Sequence, residues 1–234
     1  MRAAVPIVSF LAILTGVASC SSRSKATRSL TEIFATAAPA TVTIVAGVTG
    51  PAADDGGLGT GLLFGAEGDI ITAGHVVRGF AAYQAVYFDG TRRPLILVKA
   101  DGGSDLAILR PTDGRHSTAS PIPLRDLRAE PLQVGESVAV IGAPFGLATS
   151  LSAGIISALG RTRKQVHLEI PDFDEGLGLI QTDAVLHPGN SGGPLLDSAG
   201  RLIGIVTASY GTTERVGFAV PLDSVKRMLA SGAN

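Results

Sequence analysis

The chain has 234 residues, 45% hydrophobic and 17% charged, enough apolar material for a sizeable core. Nineteen basic against twenty acidic side chains leave a net charge of −1, and no run of Lys or Arg is long enough to neutralise a phosphate backbone, which excludes nucleic acid as an expected partner. Thirty glycines and thirteen prolines, spread rather than pooled, predict many tight turns between short strands and so an all-β architecture.

The N-terminus differs in composition from the rest. Arg2 precedes an apolar stretch from Ala3 to Ala18 that is shorter than the roughly 20 residues a spanning helix needs and ends in small residues. Residues 1–19 read as a signal peptide. Val17-Ala18-Ser19-Cys20 resembles the bacterial lipobox, which implies that Cys20 is lipidated, becomes the new N-terminus and anchors the chain to a membrane. Ordinary secretion with a spare thiol is the plainer alternative. Cys20 is the only cysteine, so no intrachain disulfide is expected even in an oxidising compartment. Residues 20–28 then form the lipidated Cys and a Ser-, Arg- and Lys-rich tether, and residues 29–234 form the domain. Ser29-Leu30-Thr31-Glu32 fits a capping box ahead of Ile33, Phe34, Ala37 and Ala38, with Pro39 ending a short helix.

Strand signals follow in chain order. Val42, Ile44 and Val45 begin an apolar, β-branched run, broken by a Gly, Pro and Asp cluster from Gly47 to Gly59 before Leu62-Leu63-Phe64 resumes it. Ile70-Ile71-Thr72 leads into Ala73-Gly74-His75-Val76-Val77 and places His75 where a buried strand meets a loop. Ala85 to Phe88, Leu95 to Val98 and Leu106 to Leu109 are further candidates. Pro111 to Pro123 is polar and without periodicity, a connection between halves at roughly 40–118 and 124–222. The second half offers Ser137 to Ile141, Leu151 to Ser157, Leu179 to Thr182, Leu195-Leu196, Leu202 to Thr207 and Val216 to Val220. Leu222 to Ala230 reads as a closing helix.

Gly189-Asn190-Ser191-Gly192-Gly193-Pro194 is glycine-dense yet immediately precedes an apolar strand. Glycines there let the backbone turn sharply and bring N–H groups close to a substrate. A serine hydroxyl attacks a carbonyl only if a base takes its proton and nearby donors stabilise the oxyanion. The backbone N–H groups of Gly189 and Ser191, with Asn190 between them, are the candidate donors. His75 is the candidate base. Asp105 is the candidate acid because Leu106-Ala107-Ile108-Leu109 carries it straight into a buried strand, with Asp101 as a competitor. Base and acid fall in the first half and the nucleophile in the second, so the site is expected between the halves, in the His, Asp, Ser order of chymotrypsin-like enzymes.

Five ordered segments between about Leu30 and Pro221 resemble the HtrA/Deg family of bacterial envelope proteases, within the trypsin-like superfamily. Thr72-Ala73-Gly74-His75-Val76-Val77 is similar to its His motif and Ser104-Asp105-Leu106-Ala107-Ile108-Leu109 to its Asp motif. Ile180 to Asp183 with Pro188 to Leu195 is similar to its Ser motif, and Ile141 to Gly146 and Gly217 to Pro221 to two segments without catalytic side chains. The resemblance implies two six-stranded antiparallel β-barrels. It also implies a serine endopeptidase without cofactor or metal, acting on unfolded or envelope proteins through an acyl-enzyme on Ser191. His75 would be base and then acid, and Asp105 its orienting carboxylate. Asn190 stands where digestive trypsin-like enzymes carry the Asp that binds their new N-terminus, so activation by that salt bridge is not expected. Val185, six residues before Ser191, replaces the acid of enzymes that cut after Lys or Arg, and implies small or medium apolar P1 residues. Thr207-Ala208-Ser209 would offer its edge to an extended peptide. A homotrimer is a family habit, with Phe34 the only N-terminal hint of one. The chain ends too soon after the barrel for the PDZ domain of many relatives. The rival expectation is an inactive peptide-binding or chaperone-like lipoprotein of the same fold.

Other features read as incidental. His187 is expected on a loop surface, without an acid of its own. His116 and His167 sit in polar stretches. One Cys and four scattered His give no metal-ligand spacing. Gly57-Leu58-Gly59-Thr60-Gly61 lacks the Lys and the following helix of a phosphate loop. Arg161 to Lys164 reads as a short basic run in a solvated loop.

Overall fold

The structure, a computed structural model, describes residues 27–47, 56–65, 68–114, 119–147, 149–167, 170, 172–210 and 214–230. The expected signal peptide, Cys20, most of the tether and His116 lie outside them. Twelve strands form two closed antiparallel barrels. The first contains β1 (Thr41–Ala46), β2 (Gly57–Phe64), β3 (Asp69–Ala73), β4 (Tyr83–Val86), β5 (Arg92–Asp101) and β6 (Leu106–Pro111), in the cyclic order β1-β2-β3-β6-β5-β4. The second contains β7 (Ser137–Gly142), β8 (Ser150–Arg161), β9 (Leu179–Thr182), β10 (Pro194–Asp197), β11 (Leu202–Ser209) and β12 (Gly217–Pro221), in the order β10-β11-β12-β9-β8-β7. This is the expected all-β, double-barrel fold.

The strands read as continuous apolar runs because many are buried on both faces. Val42, Ile44, Leu63, Ile70 and Leu109 fill the first barrel, and Val138, Val140, Ile156, Leu195 and Val206 the second. A third cluster joins them: Leu62, Ile71, Leu106 and Ile108 from one barrel meet Ile141, Leu179, Leu196, Ile205 and Phe218 from the other. Adjacent residues such as Leu62 and Leu63 thus serve different cores, as strand alternation requires. Each such side chain stabilises the fold by about 1.5–3 kcal/mol on burial.

Helices close the interface cluster. The first, α1 (Leu30–Ala37), starts with the expected capping box: Glu32 N–H donates to Ser29 Oγ at 3.2 Å, and Ser29 N–H donates to Glu32 Oε2 at 2.8 Å. That backbone bond holds the Glu32 carboxyl below the usual glutamate range. Ile33 and Ala37 turn inward, and from the last helix (Leu222–Ala230) Leu222, Val225 and Met228 join the same cluster.

Three details depart from the sequence reading. The strand β2 begins at Gly57, inside the stretch read as a break, because β1 pairs with it over the full register from Thr41↔Leu62 to Ala46↔Gly57, and pairing overrides the low β-propensity of glycine. The fourth strand ends at Val86 rather than Phe88: Tyr87 N–H is taken by Thr91 O at 2.8 Å in the following turn, and Phe88 is left exposed. His75 lies in a one-turn helix, α2 (Gly74–Val77), and part of the basic run lies in another, α3 (Arg163–Val166).

The connection between barrels is pinned by a buried cation that sequence patterning did not suggest. Arg125 is 1% exposed. Its guanidinium makes a two-pronged contact with the Glu136 carboxylate, donates to the carbonyls of Glu130 (3.0 Å) and Pro131 (2.9 Å), and lies 3.7 Å from Asp197. The Glu136 bond raises its pKa above the ordinary arginine value, so it stays charged. Leu202 N–H donates to Pro123 O and Arg125 N–H to Leu202 O, so the same segment is laced to β11.

Candidate active site

The three predicted catalytic residues converge between the barrels. Asp105 sits in the turn that enters β6 with φ +52°, a left-handed conformation that Asp tolerates better than most side chains. Two backbone bonds hold it there: Asp105 N–H to Gly102 O at 3.2 Å, and Gly74 N–H to Asp105 O at 2.8 Å. Its carboxylate is fully buried and accepts three bonds. Oδ1 takes the His75 backbone N–H at 2.8 Å, and Oδ2 takes His75 Nδ1 at 2.8 Å and Thr207 Oγ1 at 2.5 Å. A carboxylate against Nδ1 favours the tautomer with the proton there, leaving the Nε2 lone pair to act as base. The His75 ring is about one-third exposed, open to an incoming group. Asp101, the competing acid, instead accepts from Ser104 Oγ (2.6 Å) and Gly103 N–H (3.0 Å).

Four consecutive peptides build the nucleophile loop, and each carbonyl has its own donor. Pro188 O accepts from Phe145 N–H (2.8 Å), Gly189 O from Thr60 Oγ1 (2.6 Å), Asn190 O from Gly193 N–H (3.0 Å) and Ser191 O from Thr60 N–H (2.7 Å). The N–H groups divide differently. Asn190 N–H donates to His187 O at 3.0 Å and Gly192 N–H to Val206 O at 2.7 Å. Those of Gly189 and Ser191 meet no acceptor among the described residues. A trans peptide points its N–H away from its C=O, so anchoring the Pro188 and Asn190 carbonyls turns these two N–H groups to the opposite side. Asn190, expected among the oxyanion donors, is not one, because its N–H closes the turn on His187.

Glycine is required at both ends of this loop. Gly189 has φ +100° and a Cβ on it would stand 2.2 Å from Ala143 O; Gly192 has φ +87° and its Cβ would stand 2.0 Å from Thr60 O. Both are left-handed conformations without room for a side chain. Between them, Ser191 Oγ donates to Thr207 O at 3.4 Å. The hydroxyl thus rests on a β11 carbonyl and makes no hydrogen bond to His75 among the described residues; the bond to a catalytic base often forms only in the substrate complex.

The expected substrate-binding residues fall into two places. Thr207 is buried with its hydroxyl on Asp105, so its side chain serves the acid. Ala208 and Ser209 follow it on β11 and pair with Phe218 and Gly217 of β12. On its other side β11 pairs with β10 only from Leu202 to Ile205, so Thr207 to Ser209 have no strand partner there among the described residues. Val185 lines a cavity of about 280 Å3 with Pro144, Ser150, Leu151, Ser152, His187 and Asn190. Leu186, which sequence reasoning passed over, points the other way: its Cδ1 lies 2.3 Å from where a Gly217 Cβ would be. His187 is half-buried rather than on a loop surface, with its ring 5.3 Å from that of Phe145. Among the described residues no cluster of His, Cys, Asp or Glu could hold a metal.

Comparison with known proteins agrees with this geometry. Residues 59–205 match the model of the trypsin-like peptidase domain. The chain is 42% identical over 172 residues to the chloroplastic protease Do-like 1 of Arabidopsis thaliana, covering 72% of this chain and 38% of that one. It is 35% identical over 179 residues to the serine protease Do-like HtrA of Bacillus subtilis, covering 74% and 38%. It thus spans less than two fifths of these relatives' length. Among solved structures, the HtrA-type protease AlgW with a tripeptide superposes with a TM-score of 0.73 at 31% identity, over 87% of this chain and 63% of that one. The chain belongs to the trypsin-like peptidase domain family and, within it, groups with the HtrA and Do-like proteases.

Proposed function

We propose that this chain is a serine endopeptidase that hydrolyses peptide bonds through an acyl-enzyme on Ser191. The observation that carries this reading is the pair of N–H groups, Gly189 and Ser191, that meet no acceptor among the described residues, together with a histidine held by a buried carboxylate. Substrate carbonyl would enter with its oxygen toward the two N–H groups. As Ser191 Oγ attacks, His75 Nε2 takes its proton, Asp105 supports the resulting imidazolium, and the N–H pair stabilises the oxyanion. His75 then gives the proton to the leaving amine, and a water activated by His75 releases the acyl group.

Substrate main chain would run along the unpaired side of Thr207 to Ser209 as an added strand. Val185 lines its cavity with no carboxylate beside it among the described residues. Small or medium apolar P1 residues follow. The signal-peptide and lipobox patterns at residues 1–20 support export to the cell envelope with a lipid anchor on Cys20. Unfolded or envelope proteins are then the substrates within reach, and family habit suggests a homotrimer. Labelling of the chain by a fluorophosphonate, beside Ser191→Ala and with an unfolded protein as substrate, tests the reading. Labelling and cleavage by the wild type alone support it. Absence of both leaves a peptide-binding protein of the same fold.

A further inference from the structure

We propose that Thr60 is a positioning residue for the oxyanion hole, acting through its hydroxyl across the barrel boundary. This rests on the endopeptidase reading and adds to it a first-barrel side chain that touches neither substrate nor triad. Thr60 lies on β2, fully buried, and each of its polar groups is engaged. Its N–H donates to Ser191 O (2.7 Å), its hydroxyl donates to Gly189 O (2.6 Å) and accepts from Ala143 N–H (3.0 Å), and its carbonyl accepts from Thr72 Oγ1 (2.6 Å). One residue therefore holds two of the four carbonyls of the nucleophile loop.

The arrangement matters because those carbonyls belong to the residues whose N–H groups face the substrate. Gly189 is flanked by two peptides. The preceding one is held by Phe145 N–H through the Pro188 carbonyl, and the following one by the Thr60 hydroxyl. Glycine at φ +100° has no side chain to resist rotation, so these two anchors set the direction of its N–H. The hydroxyl also fixes Ala143, which leads into the turn Pro144–Gly146 that carries Phe145. Both anchors of the Gly189 segment thus refer back to one hydroxyl. Without it, Gly189 O and Ala143 N–H are left unpaired in a buried place, and the loop relaxes toward conformations that satisfy them. An oxyanion donor works only when preorganised where charge develops, so the loss falls on the transition state rather than on substrate binding.

Thr60→Val keeps the shape and removes the hydroxyl; Thr60→Ser keeps the hydroxyl; Thr60→Cys places a weak donor in similar space and serves if valine does not fold. Expected for Thr60→Val, or for Thr60→Cys in its place, is a kcat lowered by roughly 10- to 100-fold with KM within about threefold. Affinity for a peptide boronic acid, whose tetrahedral adduct occupies the hole, should fall in parallel. Peptide binding measured in the Ser191→Ala background should be unchanged, and Thr60→Ser should recover most of kcat. Unchanged boronate affinity and kcat in a folded variant, or a KM that rises as much as kcat falls, overturns the inference. A wild type that neither labels with fluorophosphonate nor cleaves sinks the endopeptidase reading and this inference with it. A wild type that labels beside a variant that labels equally fast sinks the inference alone.

Discussion

Thr207 Oγ1 and Asp105 Oδ2 lie 2.5 Å apart across the barrel boundary, so the second barrel supplies a donor to an acid carried by the first. The bond orients a carboxylate whose other hydrogen bonds among the described residues both come from His75. Thr207→Val should therefore lower kcat by roughly tenfold, since a hydrogen bond to a charged group is worth about 1.5–3 kcal/mol, with KM little changed and Thr207→Ser near wild type. Asp105→Asn should cost far more, on the order of 10⁴-fold, by favouring the wrong imidazole tautomer. Steady-state kinetics on a peptide substrate distinguish the two; equal losses would contradict the division of labour.

Gly189→Ala should lower kcat by roughly 10²–10³-fold, the usual cost of losing one oxyanion donor. The added Cβ cannot remain 2.2 Å from Ala143 O, so the peptide bearing the donor must move. Fluorophosphonate labelling should slow to match, while circular dichroism stays that of the wild type because the barrels are untouched. A variant that labels at the normal rate would show that Gly189 N–H is dispensable.

Arg125→Met should destabilise by about 3 kcal/mol, because it removes a buried guanidinium that bonds the Glu136 carboxylate and two carbonyls. The site lies away from the triad, so kcat at low temperature should hold. Urea unfolding reads the first quantity and a peptide assay the second; an unchanged midpoint would mean that solvent replaces the guanidinium without penalty.

Stability should respond to acid through Glu32. Its carboxyl titrates lower in the folded chain than in the unfolded one, chiefly through the Ser29 N–H bond. Its contribution is thus fully present above the unfolded value of about 4.3 and is lost as pH falls through the folded value. The stability gap between wild type and Glu32→Gln, followed from pH 7 to 2, should be constant at first and close only in acid. A gap independent of pH would assign Glu32 a role without charge.

A peptide library should show cleavage after small or medium apolar residues, as Val185 suggests. Preference for Lys or Arg would overturn the apolar P1 reading.

The sequence by itself determined the elements and the chemical cast. Apolar runs such as Leu106 to Leu109 mark strands because burial on both faces leaves no alternation to disguise them. The capping box at Ser29 and Glu32 is local chemistry within one turn. Gly-Asn-Ser-Gly-Gly, His75 and Asp105 could be named because few side chains do this chemistry and they occur in a known order. Tertiary structure decided the rest. Asn190 lost its expected place among the donors because its N–H bonds to His187, a preference no residue type announces. The Thr207 hydroxyl took up support of the acid, Thr60 became the anchor of a loop in the other barrel, and Arg125, just past the stretch that reads as a polar connection, found four partners. These are hydrogen bonds between residues distant in sequence, and their direction is set by where two closed barrels meet. Periodicity and composition carry the burial of a side chain; only the assembled barrels decide which polar atom faces which.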